Sequence, residues 1–178
     1  MNSMMRTRLG KPTLRRSRHW LWLLVVVAAA AATWQVNASA SSGRIFVVNS
    51  TGDSADVAPG NGICDAGGVC TLRAAIQEAN AGEGRDQIRF NIPGAGVQTI
   101  TPAMPLPAIT DAVVIDGYTQ PGAAANTLVA GNNASLRMEI NGANAGYNVD
   151  GLALRASNSV IRGLAINRFR GAGITVAA

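Results

Sequence analysis

The stretch GLALRASNSVIRGLAINRFRGAGITV, residues 151–176, contains one short motif three times: Gly151-Leu-Ala-Leu, Gly163-Leu-Ala-Ile and Gly173-Ile-Thr-Val. The three copies start 12 and then 10 residues apart, so two intervals add up to about 22 residues. Repeats of about 20–30 residues that contain short strands and no helix are typical of solenoids, here a parallel β-helix. The repeat therefore predicts an all-β fold, a parallel β-helix in which each interval is part of one coil.

A second repeat, with a longer interval, also predicts stacked coils. Ile115, Ile140 and Ile166 follow one another at 25 and 26 residues. Alternate side chains of each strand should point inward, and stacked coils should lie about 4.8 Å apart. The predicted inward set is Leu152, Leu154, Leu164, Ile166, Ile174 and Val176. A β-sandwich with hairpins stays open as an alternative, because Asn141-Gly142 is a typical two-residue hairpin turn.

Upstream of the repeat, β-branched and apolar runs predict further short strands. The predicted strands are 45–48, 87–91, 98–101, 112–116, 137–141, 151–154, 160–167 and 173–176. One helix is predicted over 72–80, with Thr71 as its N-cap and Gly82 and Gly84 at its end. Its apolar face consists of Leu72, Ala75, Ile76 and Ala79. We expect this face to cover the open end of the solenoid, with Arg73 and Gln77 nearer solvent.

The first 40 residues have the pattern of a secretory signal peptide. A basic segment ends at His19, an apolar stretch runs from Trp20 to Trp34, and Ala38-Ser39-Ala40 fits a signal-peptidase site. An uncleaved anchor is the alternative, but the apolar run falls short of the roughly 20 residues that span a bilayer. We therefore expect cleavage after Ala40, export to the periplasm, cell surface or medium, and no stable membrane span afterwards.

Net charge argues against a nucleic-acid partner. The chain carries a formal charge of +5, but six of its 15 basic residues and none of its ten acidic ones lie in residues 1–40. The remaining nine basic residues stand against ten acidic ones, which leaves no field that would attract phosphate.

Two cysteines, Cys64 and Cys70, are the only ones in the chain. Two thiols in an exported protein favour a disulfide, and the two glycines between them allow a tight loop. Zinc would need further Cys or His ligands, and no histidine follows residue 40.

The segment Gly62-Ile-Cys-Asp-Ala-Gly-Gly-Val-Cys-Thr-Leu-Arg-Ala-Ala-Ile-Gln-Glu-Ala-Asn resembles the CSLREA domain. The naming motif reads Cys70-Thr-Leu-Arg-Ala-Ala here, with Thr for Ser and Ala for Glu, and the resemblance covers about residues 44–93. It implies an N-terminal cap (41–93) on an exported bacterial right-handed parallel β-helix of the pectin-lyase type. Residues 94–178 resemble the first coils of such a solenoid. The family supplies no catalytic residues to transfer.

Three aspartates near the cysteines, Asp53, Asp56 and Asp65, are candidate calcium ligands, because calcium takes six to eight oxygen ligands. Their spacing is not that of an EF-hand, and turn capping explains them as well. Calcium is the one cofactor that the sequence suggests.

Lyases on β-helices pair acidic calcium ligands with a basic proton acceptor. The candidates of both kinds on the predicted coils are Arg155, Arg162, Arg168, Arg170, Asp111, Asp116 and Asp150. These residues form no recognisable cluster, so no catalytic set is assigned.

The sequence therefore predicts a structural or adhesive protein of the cell surface, with no assigned enzymatic activity. The alternative is the N-terminal part of a carbohydrate-active enzyme such as a polysaccharide lyase. Expected partners are surface glycans or a further C-terminal part of the same protein. The last strand has no cap after it, so we expect the set of coils to be incomplete.

Overall fold

The computed structural model describes residues 42–177, and the predicted signal peptide lies outside them. Most regular elements in this range are strands. In chain order they are β1 (Ile45–Val48), α1 (Leu72–Ala81), β2 (Asp86–Phe90), β3 (Gln98–Ile100), β4 (Val113–Asp116), β5 (Met138–Asn141), β6 (Leu152–Leu154), β7 (Val160–Arg162), β8 (Leu164–Asn167) and β9 (Ile174–Val176). Short 3-10 turns at 117–119 and 142–144 follow β4 and β5.

Three sheets contain all nine strands, and every strand pair in them is parallel. The first sheet has the order β1-β2-β4-β7, the second β3-β5-β8 and the third β6-β9. Asn141-Gly142 forms no hairpin: the Asn141 side chain accepts a hydrogen bond from the Ala143 amide and begins a 3-10 turn. The structure is thus mainly β, with one short helix and parallel sheets.

Buried rows run across the sheets. In the first sheet Phe46, Ile88, Ile115 and Ile161 are in register, and the first three are at most 3% exposed. In the second sheet Ile100, Ile140 and Ile166 are in register. Alternation of apolar and polar residues with a period of two explains the rows, because it places one set on the inner face of each sheet.

The strand pairing tests the repeat intervals of 22, 25 and 26 residues predicted from the sequence. The 22-residue interval is confirmed, since Leu152 pairs with Ile174, and the 26-residue step from Ile140 to Ile166 is confirmed as well. The 25-residue step from Ile115 to Ile140 is wrong as a stacking period. Ile115 pairs with Ile161 in the first sheet, whereas Ile140 lies in the second, so this step joins strands of two different sheets.

The predicted strand 160–167 is two strands. The chain turns at Gly163, which has a φ of +71°, so β7 joins the first sheet and β8 the second. A side chain at Gly163 would be strained by that φ and would crowd the Tyr118 backbone and ring. The inward positions shift by one residue at this corner, from Ile161 to Leu164 and Ile166, and a prediction of one continuous strand does not allow for that shift.

Between β4 and β5 lies an excursion, residues 121–136, that contains no charged residue. Ala124 and Ser135 exchange two backbone hydrogen bonds at its base. Near its tip the Asn126 carboxamide accepts bonds from the Leu128 and Asn133 amides. Val129 is fully exposed, and no residue of the excursion belongs to the buried core.

Burial falls toward the last strands. Leu152 is fully buried, but Leu154, Leu164 and Ile166 are only partly buried. Ile174 and Val176, which belong to the predicted inward set, are 42% and 70% exposed. They align with Leu152 and Leu154, yet β9 has no second neighbour in the described part of the chain.

Helix α1 begins and ends close to the predicted bounds. The Thr71 hydroxyl accepts a hydrogen bond from the Ala74 amide, which confirms the N-cap. The helix packs on β1 and β2. Over residues 42–177, no helix has the length and apolar character needed to cross a membrane.

Candidate functional site: the N-terminal cap

The predicted disulfide is present. Cys64 and Cys70 are bonded, with their Cα atoms 5.2 Å apart. The loop that they close is fastened to the end of β1, because the Asn49 amide donates to the Cys70 carbonyl and the Cys70 amide donates to the Asn49 side chain. The disulfide therefore fixes the loop immediately before the N-cap of α1, and the Asn49 bonds hold that loop to the end of β1.

The three candidate calcium ligands are engaged by nitrogen donors. Asp53 accepts bonds from the Arg73 guanidinium and the Ala103 amide. Asp56 accepts from the amides of Ala58 and Asp65. The Asp65 carboxylate accepts from the two glycine amides that follow it at 67 and 68. Each carboxylate therefore orders a turn or an ion pair.

The structure brings Asp56 and Asp65 together but leaves Asp53 with Arg73. Within residues 42–177, no group of three or more Asp, Glu, His or Cys side chains is placed to hold a metal ion.

The predicted apolar face of α1 is buried. Leu72, Ala75, Ile76 and Ala79 are at most 3% exposed and belong to the same core as Ile88 and Ile100. Gln77 is half-buried, and its side-chain oxygen accepts a bond from the Asp56 amide. The outer side of the helix is thus also covered, by the loop that precedes it.

The prediction that Arg73 lies near solvent is wrong, because this residue is only 7% exposed. Its guanidinium forms a two-pronged contact with Asp53 and donates to the carbonyls of Met104 and Pro105. A helical wheel assigns Arg73 to the polar side, but the loop at Asp53 and the chain after β3 both close over that side.

Glu78 is a second buried charge that sequence reasoning missed. It is fully buried, and its two carboxylate oxygens accept bonds from the amides of Gly60 and Gly62, at 2.6 and 2.7 Å. Both glycines have positive φ, which residues other than glycine rarely adopt. The Glu78 carboxylate therefore stabilises a turn whose backbone conformation requires these glycines.

Asp86 lies at the start of β2 and is fully buried. One carboxylate oxygen accepts a bond from the Arg44 amide, and the other, Oδ2, has no hydrogen-bond partner. Burial raises the pKa of Asp86, while Arg44 lowers it and the nearby Asp111 and Glu78 raise it further. The carboxylate is therefore a cost to the folded state at neutral pH.

A groove of about 360 Å³ lies between β1 and the disulfide loop. Ile45, Val47, Ile63 and Val69, which are 39–63% exposed, contribute to its walls. In the described part of the chain, β1 pairs only with β2, and residues 45–47 of β1 line this groove.

Arg162, Asp150 and Arg170, three of the charged candidates from the sequence, each contact a different partner. Arg162 donates to Asp116 at 2.6 Å across adjacent strands. Asp150 accepts from the Thr175 hydroxyl and the Ala172 amide, which lower its pKa. Arg170 lies over the Tyr147 ring, 4.7 Å from its centre.

Glu139 was not a candidate in the sequence. It accepts bonds from the Thr99 hydroxyl and the Asn167 side-chain Nδ2, which lower its pKa. Thr99 and Glu139 are partners in the second sheet, so this carboxylate bridges neighbouring strands on its outer face.

Comparison with protein-family profiles, with curated proteins and with solved structures gave no match.

Proposed function

We propose that this chain is a capped, right-handed parallel β-helix with a structural or adhesive role at the bacterial cell surface. The observation that carries the proposal is the register of the sheets. Successive strands of each sheet come from successive passages of the chain: β2, β4 and β7 in the first, β3, β5 and β8 in the second. A chain that visits three parallel sheets in turn, with inner apolar rows in register, has the order of stacked solenoid coils.

The N-terminal end fits a cap. A solenoid end that is left open exposes strand edges, which invite aggregation. Here α1 contributes Leu72 and Ile76 to the core, and the preceding loop covers the outside of the helix through Arg73 and Glu78. The Cys64–Cys70 disulfide supports an oxidising, exported setting for the cap, as does the CSLREA-like sequence.

The placement of polar groups supports a scaffold more than an enzyme. Asp116, Glu139 and Asp150 each bond to a neighbouring strand or loop, and their partners differ. A β-helix lyase would bring acidic ligands and a basic group to one position on a sheet face. The polar contacts described here instead tie one coil to the next.

An assay with acidic polysaccharides, with and without calcium, tests the proposal. Purified protein should bind a glycan array or an intact bacterial surface without releasing unsaturated oligosaccharides. Calcium-dependent depolymerisation would establish the alternative, a carbohydrate-active enzyme. Failure to bind any glycan or surface would leave a purely structural role and remove the adhesive one.

A further inference from the structure

We infer that Asn61-Gly62, in the turn between β1 and α1, is a self-modification site at which Asn61 is converted to aspartate and isoaspartate, with Glu78 as the general base. The step takes place within the chain and needs only water as a co-reactant. It goes beyond the structural or adhesive role proposed above and does not rest on it.

The dipeptide itself favours this chemistry. The side-chain amide of an asparagine can react with the backbone nitrogen of the next residue to form a five-membered imide, and a glycine at that position leaves the nitrogen uncrowded because it has no Cβ. Asn61 is exposed and Gly62 is half-buried. Water can therefore reach the imide, and ammonia can leave.

Glu78 lies on the nitrogen that has to lose a proton. Its Oε2 accepts a hydrogen bond from the Gly62 amide at 2.7 Å, while Oε1 accepts from the Gly60 amide at 2.6 Å. A general base has to lie within about 2.6–3.2 Å of the group that it deprotonates. Glu78 is fully buried, so protein groups fix the position of its carboxylate.

Two further groups face the charge that develops in the reaction. The Ile63 amide donates to Oδ1 of Asn61 at 2.7 Å, and this oxygen becomes negative when the nitrogen attacks. Nη1 of Arg44 lies 2.9 Å from the point where a side chain at Gly62 would begin. The guanidinium therefore brings positive charge close to the nitrogen, and together with the φ of +83° it restricts this position to glycine.

The step balances without an oxidant or a reductant. The Gly62 nitrogen gives its proton to Glu78 and bonds to Cγ of Asn61, and the carbonyl electron pair moves to Oδ1. When that pair returns, the bond from Cγ to Nδ2 breaks, and Nδ2 takes the proton from Glu78 and leaves as ammonia. Water then opens the imide at either carbonyl, which gives aspartate or isoaspartate and leaves the Glu78 carboxylate as it was.

The conversion should change the turn that Glu78 holds. In the imide the Gly62 nitrogen has no hydrogen, so Oε2 of a fully buried carboxylate loses its partner. In the isoaspartate product the main chain gains one methylene before Gly62. Because Gly62 and Ile63 line the groove beside β1, the modification alters a wall of that groove.

A second Asn-Gly pair in the same chain provides an internal control. The Asn141 side chain accepts a bond from the Ala143 amide, as Asn61 does from Ile63. Gly142, however, is buried at the start of a 3-10 turn, and the Phe169 ring packs directly against it. Attack by its nitrogen would require this packing to open, so Asn141 should convert more slowly than Asn61.

The rate of conversion at neutral pH tests the inference. Peptide mapping by mass spectrometry follows the exchange of NH2 for OH at each asparagine in the purified exported protein. A synthetic peptide of residues 57–63 has the same dipeptide without Glu78. We expect Asn61 to convert at least about 10-fold faster in the folded protein than in the peptide, the lower range for general-base catalysis. A rate in the protein equal to or below that of the peptide would overturn the inference, as would faster conversion of Asn141 than of Asn61.

Glu78→Gln assigns the base. The glutamine can still accept one of the two amide bonds but cannot take up the proton, so the Asn61 rate should fall at least about 10-fold. An unchanged or higher rate in this variant would show that the carboxylate does not act as the base. If Glu78→Gln does not fold, the comparison of the wild-type protein with the peptide still decides. None of these results depends on the glycan assay, so the proposed function is tested separately.

Discussion

Arg73 is the residue whose contacts join most parts of the cap. Its side chain links α1 to Asp53 and to the carbonyls at 104 and 105, while both members of the ion pair are largely buried. Removing one partner of a buried pair leaves the other charge uncompensated. We expect Arg73→Ala to lower the free energy of unfolding by about 3 kcal/mol, measured by urea denaturation.

The exposed Arg89 supplies the control for that experiment. Within residues 42–177 its guanidinium bonds to Gln87 on the same strand and to no other residue, so Arg89→Ala should change stability by less than about 0.5 kcal/mol. Similar losses in the two variants would mean that the Arg73 contacts do not stabilise the cap.

Asp86 predicts a pH dependence of the opposite sign to that of most carboxylates. Its pKa is raised in the folded state, so the folded protein holds this proton more tightly than the unfolded chain. Its contribution to stability therefore increases as pH falls through the folded pKa, and it is complete below the unfolded value. Asp86→Asn mimics the protonated form and should raise the melting temperature at pH 7.

The difference between wild type and Asp86→Asn should shrink as pH approaches the unfolded value of 3.8. Thermal melts of both proteins from pH 7 to pH 4 provide the measurement, and taking their difference removes the titration of Glu139 and Asp150. A variant that is less stable than wild type at every pH would show that the buried charge is compensated.

At the scale of elements, α1 is held on both sides. Ile76→Asp places an unpaired charge in the core, which should cost about 4 kcal/mol and expose the apolar ends of β1 and β2. We expect aggregation in place of a soluble monomer, detected by size-exclusion chromatography. Ala81→Asp is a suitable control because Ala81 is the exposed last residue of the helix. Gln77→Asp is not, since Gln77 holds the Asp56 amide.

The disulfide loop next to α1 should contribute less to the free energy of unfolding than the burial of Ile76. Replacing both Cys64 and Cys70 by Ala removes a short cross-link, for which the loop-entropy estimate is about 2 kcal/mol. The Asn49 bonds to the loop remain, so the variant should still fold with a lower melting temperature. If intact mass with thiol alkylation finds two free cysteines in exported wild-type protein, the bond has no such role.

For the whole molecule, burial predicts a gradient of local stability. Rows in β2 and β4 lie between neighbours and include the fully buried Ile88 and Ile115, whereas β9 exposes Ile174 and Val176. Amide exchange should therefore be slowest in β2 and β4 and fastest in β9. Uniform protection across all nine strands would argue against stacked coils that depend on their neighbours.

The features that could be predicted from the sequence are those that depend on residues close together in the chain. The strands, the helix with its Thr71 cap, the disulfide and the 22-residue period all follow from periodicity and spacing. The buried roles of Arg73, Glu78 and Asp86 depend on which distant loops close over them, and one sequence contains no signal for such closure. The corner at Gly163 was missed because the apolar residues on its two sides, Val160 and Ile161 before it and Leu164 to Ile166 after it, resemble one continuous strand.

Because no residue of the excursion at 121–136 belongs to the buried core, the number of residues between β4 and β5 can change without altering that core. Ala124 and Ser135 already face each other through a pair of reciprocal bonds, the spacing that a two-residue reverse turn closes. Replacing residues 125–134 with Asn-Gly should therefore leave the melting temperature nearly unchanged. The same position would serve as a graft point, where a foreign epitope could be inserted without disturbing the buried rows of the sheets.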